Sequence, residues 1–365
     1  MTEVKAAQEL APFSCSYSPN VPELLLKLGC SLAISTYQAG KVILLSPRDE
    51  NALIQLPRTI EKPMGIAVDH KLDKIAIAQK DEITVYANSP TLAKSYPNKP
   101  DTYDALFMPR ATYYSGALDI HDLSWGQGEL YAVNTLFSNI VKINEAHSFV
   151  PYWQPHFISN LASEDRCHLN GMAMKDGAPK YATAFNQGDS FQSWRDEVTT
   201  EGVVLDIESN EVILSKLPMP HTPRIFNDEL YVLLSATGEL IKVNENKGTY
   251  DVIIKIDGFV RGMAQHGDFL FIGLSRLRKN SSTFAQLEIS KKALNAGIAI
   301  VHLPTASLYG KIDYHASVDE IYDVQVLPNK LRPNILSTLK PEFKRGLSTP
   351  DATYWAKDEN STQSN

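Results

Sequence analysis

The chain has 365 residues, 43% hydrophobic and 21% charged, and a formal net charge of −7. This is an ordinary globular balance with length for a large core, and its acidity argues against nucleic acid or an anionic membrane as the main partner. No uncharged apolar run approaches the roughly 20 residues that cross a bilayer, and the start lacks a basic segment followed by an apolar one, so a cytoplasmic protein is expected.

Residues 1–20 read as an N-terminal extension. "VPELLLKLG" around Leu25 is one of two helix candidates; the other is "ISKKALNAG" around Leu294. Between and around them run short alternating β-type segments separated by turns. "SLAIST", "KVILLS" and "ALIQLP" come first. A second group reads "PMGIAV", "KIAIA" and "ITVYA". A third reads "IHDLSW", "LYAVN", "IVKIN" and "FVPYWQP". The same four-strand unit returns as "LNGMAM" to "VILSKLP", as "PRIFND" to "YDVIIKI", and as "VRGMAQ" to "LYGKIDYH". A unit of about 40–55 residues with four strands is the mark of a propeller blade.

The two ends complete the count. "EIYDVQVLPN" near the C-terminus matches the first strand of a unit and has no second strand after it. The first three strands of the chain lack a first strand of their own. Joining these fragments pairs 320–327 with 31–36 and removes the open edges of the array. The expectation is an all-β, six-bladed propeller over residues 21–340, followed by a poorly ordered polar tail, 341–365. Cys15, Cys30 and Cys167 are scattered and odd in number, which fits free thiols in a reducing compartment.

Aligning the first strands of the units on a small or charged landmark gives Gly65, Asp122, Gly171, Arg224, Gly262 and Asp323. One residue earlier stand Met64, His121, Asn170, Pro223, Arg261 and Tyr322. Three earlier stand Lys62, Asp119, His168, His221, Phe259 and Glu320. Side chains alternate along a strand, so these last two sets share one side and converge near the central axis. The loops between second and third strands lie at the same mouth. Two are long, and they bring Trp194, Arg195, Arg276 and Arg278 over it, while Asn134 and Asn186 end second strands there. The insertion from about Ser89 to Arg110 joins a third strand to a fourth and belongs on the opposite face.

Three histidines, two acids and an arginine at one mouth need mutual compensation, because buried charge is costly unless paired or ligated. One expectation is a divalent metal held by His168 and His221 with Asp119 or Glu320; His with carboxylate suits Zn, Mn or Fe better than Ca. The alternative at the same place is a His–Asp hydrogen-bond network without metal. His121, with Asp122 or Asp119, is the expected acid–base group. Arg261, Arg224 and Arg276 would hold a carboxylate or phosphate, and Asn134, Asn170, Asn186, Trp194 and Tyr322 complete the substrate contacts. "GMAMKDGAPK" is not a phosphate loop, so no nucleotide cofactor is expected.

The motifs "DIHDL", "HLNGMAM", "HTPRIFND" and "GFVRGMA" resemble those of an uncharacterised bacterial β-propeller family, over about Leu32 to Pro341. That resemblance implies the fold and no activity. At the level of architecture the chain is also similar to the gluconolactonase and regucalcin propellers, which implies one axial divalent metal; their ligands are carboxylates and Asn, whereas this ring is rich in His and contains Arg261. The expected function is an enzyme of hydrolase, lyase or epimerase type acting on a small polar or anionic molecule, or on a peptide. The alternative is a non-catalytic propeller that binds protein or peptide on one face. Homo-oligomerisation is compatible with the sequence.

Overall fold

A computed structural model describes residues 10–97, 99–276 and 287–357. Six antiparallel sheets follow one another around an axis, each with the strand order expected of a blade. Blade 1 is Ile66–Asp69, Lys74–Ala78, Ile83–Asn88 and Ala105–Tyr113; blade 2 is Ile120–Gly126, Glu129–Asn134, Asn139–Ile143 and Val150–Trp153. Blade 3 spans Gly171 to Leu217, blade 4 Pro220 to Lys255, and blade 5 Phe259 to Tyr314. The sixth blade takes its inner strand, Asp323–Pro328, from the C-terminal part of the chain. It takes Cys30–Thr36, Lys41–Asp49 and Ala52–Thr59 from the N-terminal part. Cys30 pairs with Pro328 and Ser35 with Asp323, so the ring closes in the expected register.

Inner and second strands are almost wholly buried because each sheet packs on both neighbours, which is why they read as near-continuous Val, Ile, Leu and Ala. Val21–Leu28 forms the expected helix, with Pro22 in its first turn and Gly29 closing it in the left-handed conformation at φ 63°. Val21, Leu24 and Leu25 pack against Ile43 and Leu45 of the sixth blade.

Three expectations change. "ISKKALNAG" forms only a 3₁₀ turn, Glu288–Lys291, where a helix was expected. The segment is too short to offset the cost of nucleating an α-helix before Gly297 enters the sheet. A short helix, Pro90–Lys94, appears instead in the insertion of blade 1, on the face opposite the mouth. Finally, a segment near each end of the described chain is built onto the ring. Cys15–Tyr17 adds a fifth strand to blade 5, and Pro333–Ile335 pairs in parallel with the outer strand of blade 1. The tail then makes a hairpin, Gly346–Ser348 with Thr353–Trp355, whose Trp355 donates to Leu92 O at 3.3 Å. Polar composition hid this because a few apolar side chains, Phe343 and Trp355, pack on a cluster around Leu92 and Met108.

No described helix is long and apolar enough to cross a membrane. The three cysteines are free.

Candidate functional site at the axial mouth

The backbone corrects the sequence alignment at blade 4. Lys62, Asp119 and His168 share a left-handed conformation, φ 43°, 53° and 50°, three residues before their landmarks; the matching residue of blade 4 is Met219, φ 58°. Its landmark is therefore Thr222, and a bulge between His221 and Arg224 carries the difference. The landmark ring then alternates strictly: Gly65, Asp122, Gly171, Thr222, Gly262, Asp323.

Sterics and hydrogen bonds explain that alternation. A Cβ on Gly65 would lie 3.0 Å from Asp122 Cα, one on Gly171 2.5 Å from Pro223 Cδ, and one on Gly262 2.7 Å from Asp323 Cα. At the landmark position there is room for a side chain on alternate blades only. Each of those three side chains clasps the next blade: Asp122 accepts from Met172 N, Thr222 from Gly262 N, and Asp323 from Ile66 N.

One residue earlier the corrected ring is Met64, His121, Asn170, His221, Arg261 and Tyr322, one per blade. His121 and His221 now hold equivalent places, and their contacts match. The Thr135 hydroxyl donates to Leu169 O at 2.5 Å and so accepts from His121 Nδ1 at 2.8 Å. The Ser235 hydroxyl donates to Val260 O at 2.6 Å and accepts from His221 Nδ1 at 2.8 Å. Ser35 and Ser275 make the same bond to Met64 O and Ile321 O. In both imidazoles the hydrogen is thus on Nδ1, and Nε2 is a lone pair with no hydrogen bond among the described residues.

His168 lies beside this ring. Its Nδ1 is 3.1 Å from both oxygens of Asp165, and Trp194 Nε1 donates to Asp165 Oδ2 at 2.9 Å. Imidazoles and aromatic rings form one wall. Ring centroids are 5.5 Å apart for Tyr322 and His121, 4.7 Å for His121 and His168, and 4.3 Å for His168 and Trp194. Phe185 stacks on His168 at 4.7 Å and meets His221 edge-on at 4.9 Å. On the far side the Arg261 guanidinium lies 3.5 Å over the Tyr322 ring, with Glu320 3.6 Å from Nη1. Among the described residues Asn170 Nδ2, Arg261 Nη2 and Tyr322 OH are buried without a hydrogen-bond partner.

A family model, that of a domain of unknown function, DUF4915, matches residues 19–336. The chain belongs to this family. No curated protein matches it. Among solved structures, a chain of a nidogen/laminin complex is similar with a TM-score of 0.53 at 11% identity, over 82% of this chain and 99% of that one. A protein of unknown function from Bacteroides caccae is similar with a TM-score of 0.50 at 8% identity, over 82% and 98%. At such identities the likeness is one of fold alone.

The remaining expected residues of this DUF4915 chain fall into two groups. Asp122 and Arg224 face each other below the mouth, bound through two contacts of 2.8 and 3.0 Å, and Arg224 also donates to Met172 O. Their charges are spent on one another. Asn186 holds its own loop through Ser193 and Glu197, and Asn134 accepts from Phe137 N. Trp194 reaches the wall, whereas Arg195 lies outside on the Trp194 ring, and Arg276 is half exposed beside Asp319. Arg278 lies outside the described residues.

The expected metal ligands are not gathered. Phe185 stands between His168 and His221, Glu320 serves Arg261, and the Asp119 carboxylate is half exposed. Among the described residues no three His, Cys, Asp or Glu side chains are placed to hold a metal ion.

Burial, opposed by Asp119 and reinforced by His168 and Arg261, pushes His121 down to about 3; burial and Arg261 hold His221 well below its ordinary value. Both are neutral acceptors near pH 7. Asp165, Thr135 and Ser235 were not singled out from the sequence. The recurrent hydroxyl closing the second strand, as in "AVNT" and "VLLS", was a usable signal; Asp165 carries none, since it lies in a loop.

Proposed function

We propose that the axial mouth binds a small polar, anionic molecule and that His168, oriented by Asp165, transfers a proton to and from it. The observation that supports this is the set of unmatched polar atoms converging on one axis: bare Nε2 atoms on His121 and His221, and unpartnered Asn170, Arg261 and Tyr322. Buried polar groups are almost always satisfied in a folded chain, so a ring of unsatisfied ones calls for a polar occupant. His121 was the expected proton carrier, but a group held near 3 is a poor base at neutral pH. His168 has the better arrangement. Its Nδ1–H is fixed by a carboxylate, and its Nε2 is left to act. Arg261 and Tyr322 would hold the anionic part of the substrate or the charge that develops on it. Water activation and removal of a proton next to a carbonyl both use this arrangement, which keeps hydrolase, lyase and epimerase chemistry in view.

The test is a screen of small carboxylates, phosphates and sugars for binding and turnover, on the wild type, Arg261→Met and His168→Gln. Arg261→Met should weaken the ligand by about tenfold or more. His168→Gln should retain binding and lose about 10²–10⁴-fold in rate. Ligands indifferent to Arg261→Met would remove the proposal.

One observation favours a second reading, a protein-binding propeller. Tyr114, Phe191 and Leu294 are 80%, 68% and 64% exposed, and all lie on loops of the mouth face. Exposed apolar side chains around a polar centre mark contact surfaces. In that case Phe191→Ser would abolish a protein contact that Arg261→Met leaves intact.

A further inference from the structure

We infer that the molecule held at the axial ring is a hydroxylated carboxylate, with its carboxylate on Arg261 and Tyr322 and its hydroxyls on the bare Nε2 atoms of His121 and His221. This rests on the reading of the mouth as a small-molecule site and narrows it.

The argument is one of donors and acceptors. On blades 5 and 6 the ring offers Arg261 Nη2 and the Tyr322 hydroxyl, both unpartnered. On blades 2 and 4 it offers acceptors only, because the Nδ1 hydrogens are already given to Thr135 and Ser235. Asn170, between those two blades, adds one unpartnered donor. The occupant must therefore accept at one side of the axis and donate at the other.

Three simpler classes fail this pattern. Inorganic phosphate is poor in hydrogens to give to two lone pairs, and it would suit protonated imidazoles that burial here keeps neutral. A neutral polyol leaves Arg261 Nη2 without a charged partner, since Glu320 approaches only Nη1 and only to 3.6 Å. An ammonium group would set a second positive charge beside Arg261, next to imidazoles that burial, aided by Arg261, holds neutral. A hydroxyl gives its hydrogen without adding charge. The His168, Trp194 and Phe185 faces suit the C–H side of such a molecule.

The test is calorimetric titration of the full chain with a matched four-carbon series and its longer polyhydroxy homologues. The probes are 2,3-dihydroxybutanoate as separate stereoisomers, butanoate, 2,3-butanediol, 2-aminobutanoate and inorganic phosphate. One dihydroxy acid should bind about tenfold more tightly than butanoate and than the diol, the value of one or two well-made hydrogen bonds. His121→Phe should bring the dihydroxy acid and butanoate together, and Arg261→Met should weaken both. If His121→Phe does not fold by circular dichroism, His221→Phe carries the same comparison. Equal binding of butanoate and dihydroxy acid, or tightest binding of the amino acid or phosphate, would overturn the substrate class while leaving an Arg261-dependent site. If no probe here or in the wider screen depends on Arg261, the reading of the mouth itself falls.

Discussion

Asp122 and Arg224 show how a residue that looks chemical can be structural. Each is the other's main partner, in a place with little access to water. Arg224→Met should leave Asp122 buried without its counter-charge and cost roughly 3–5 kcal/mol, read as a loss in chemical denaturation; a well-packed apolar pair at both positions should recover most of it. The pH dependence also belongs at this scale. His121 and His221 are neutral in the fold, and an unfolded histidine takes its proton near 6.5, so they cost stability as pH falls through that value. Asp323 acts the other way. Burial lifts it to about 6, so the fold takes up its proton before the unfolded chain does, at about 3.8. Acidification should lower the melting temperature from about pH 6.5, less steeply between 6 and 4; His221→Phe should flatten the profile and Asp323→Asn steepen it. A profile unchanged by both would contradict the assignment. His121, Asn170, Arg261 and Tyr322 were legible from strand phase alone. The Asp165 partner was not, because its position depends on where a loop lands.

Blade 4 marks the limit of reading strands from sequence. Alternation placed every inner strand, yet "HTPRIF" hides a bulge, and a bulge leaves no fixed trace in residue type. Counting from the wrong landmark put Pro223 level with His121 and set His221 level with Asp119 and His168 instead. The alternation of glycine with Asp122, Thr222 and Asp323 appears only once that slip is repaired. It carries a prediction: Gly171→Ala forces a methyl against Pro223 Cδ and Thr183 Oγ1 and should cost about 1–3 kcal/mol in chemical denaturation, and an unchanged midpoint would show that the axis has room there. The tail hairpin is a second element that composition concealed. Trp355→Ala should cost roughly 1–3 kcal/mol, because the ring packs over Leu92 and against Tyr96. No change in the melt would mean that the hairpin contributes nothing to the fold.

At the scale of the molecule the six-blade count was legible because the two orphan fragments complete each other, and the structure joins them as expected. Deleting the chain from Val318 onward removes an inner strand and should yield aggregated rather than monomeric protein, by light scattering. The strands built from 15–17 and 333–335 lie on the outer edges of blades 5 and 1, the two neighbours of the closing blade. Closure also has a consequence in time. Asp323 and Ser35 bond across 288 positions of sequence. At the usual pace of synthesis, about 5–20 residues per second, the strand from Cys30 to Thr36 waits tens of seconds for its inner partner. Tyr322 arrives with that partner, so the polar ring is finished last. A ribosome that stops early releases a chain with no mouth, and no partial product can perform the function of the whole.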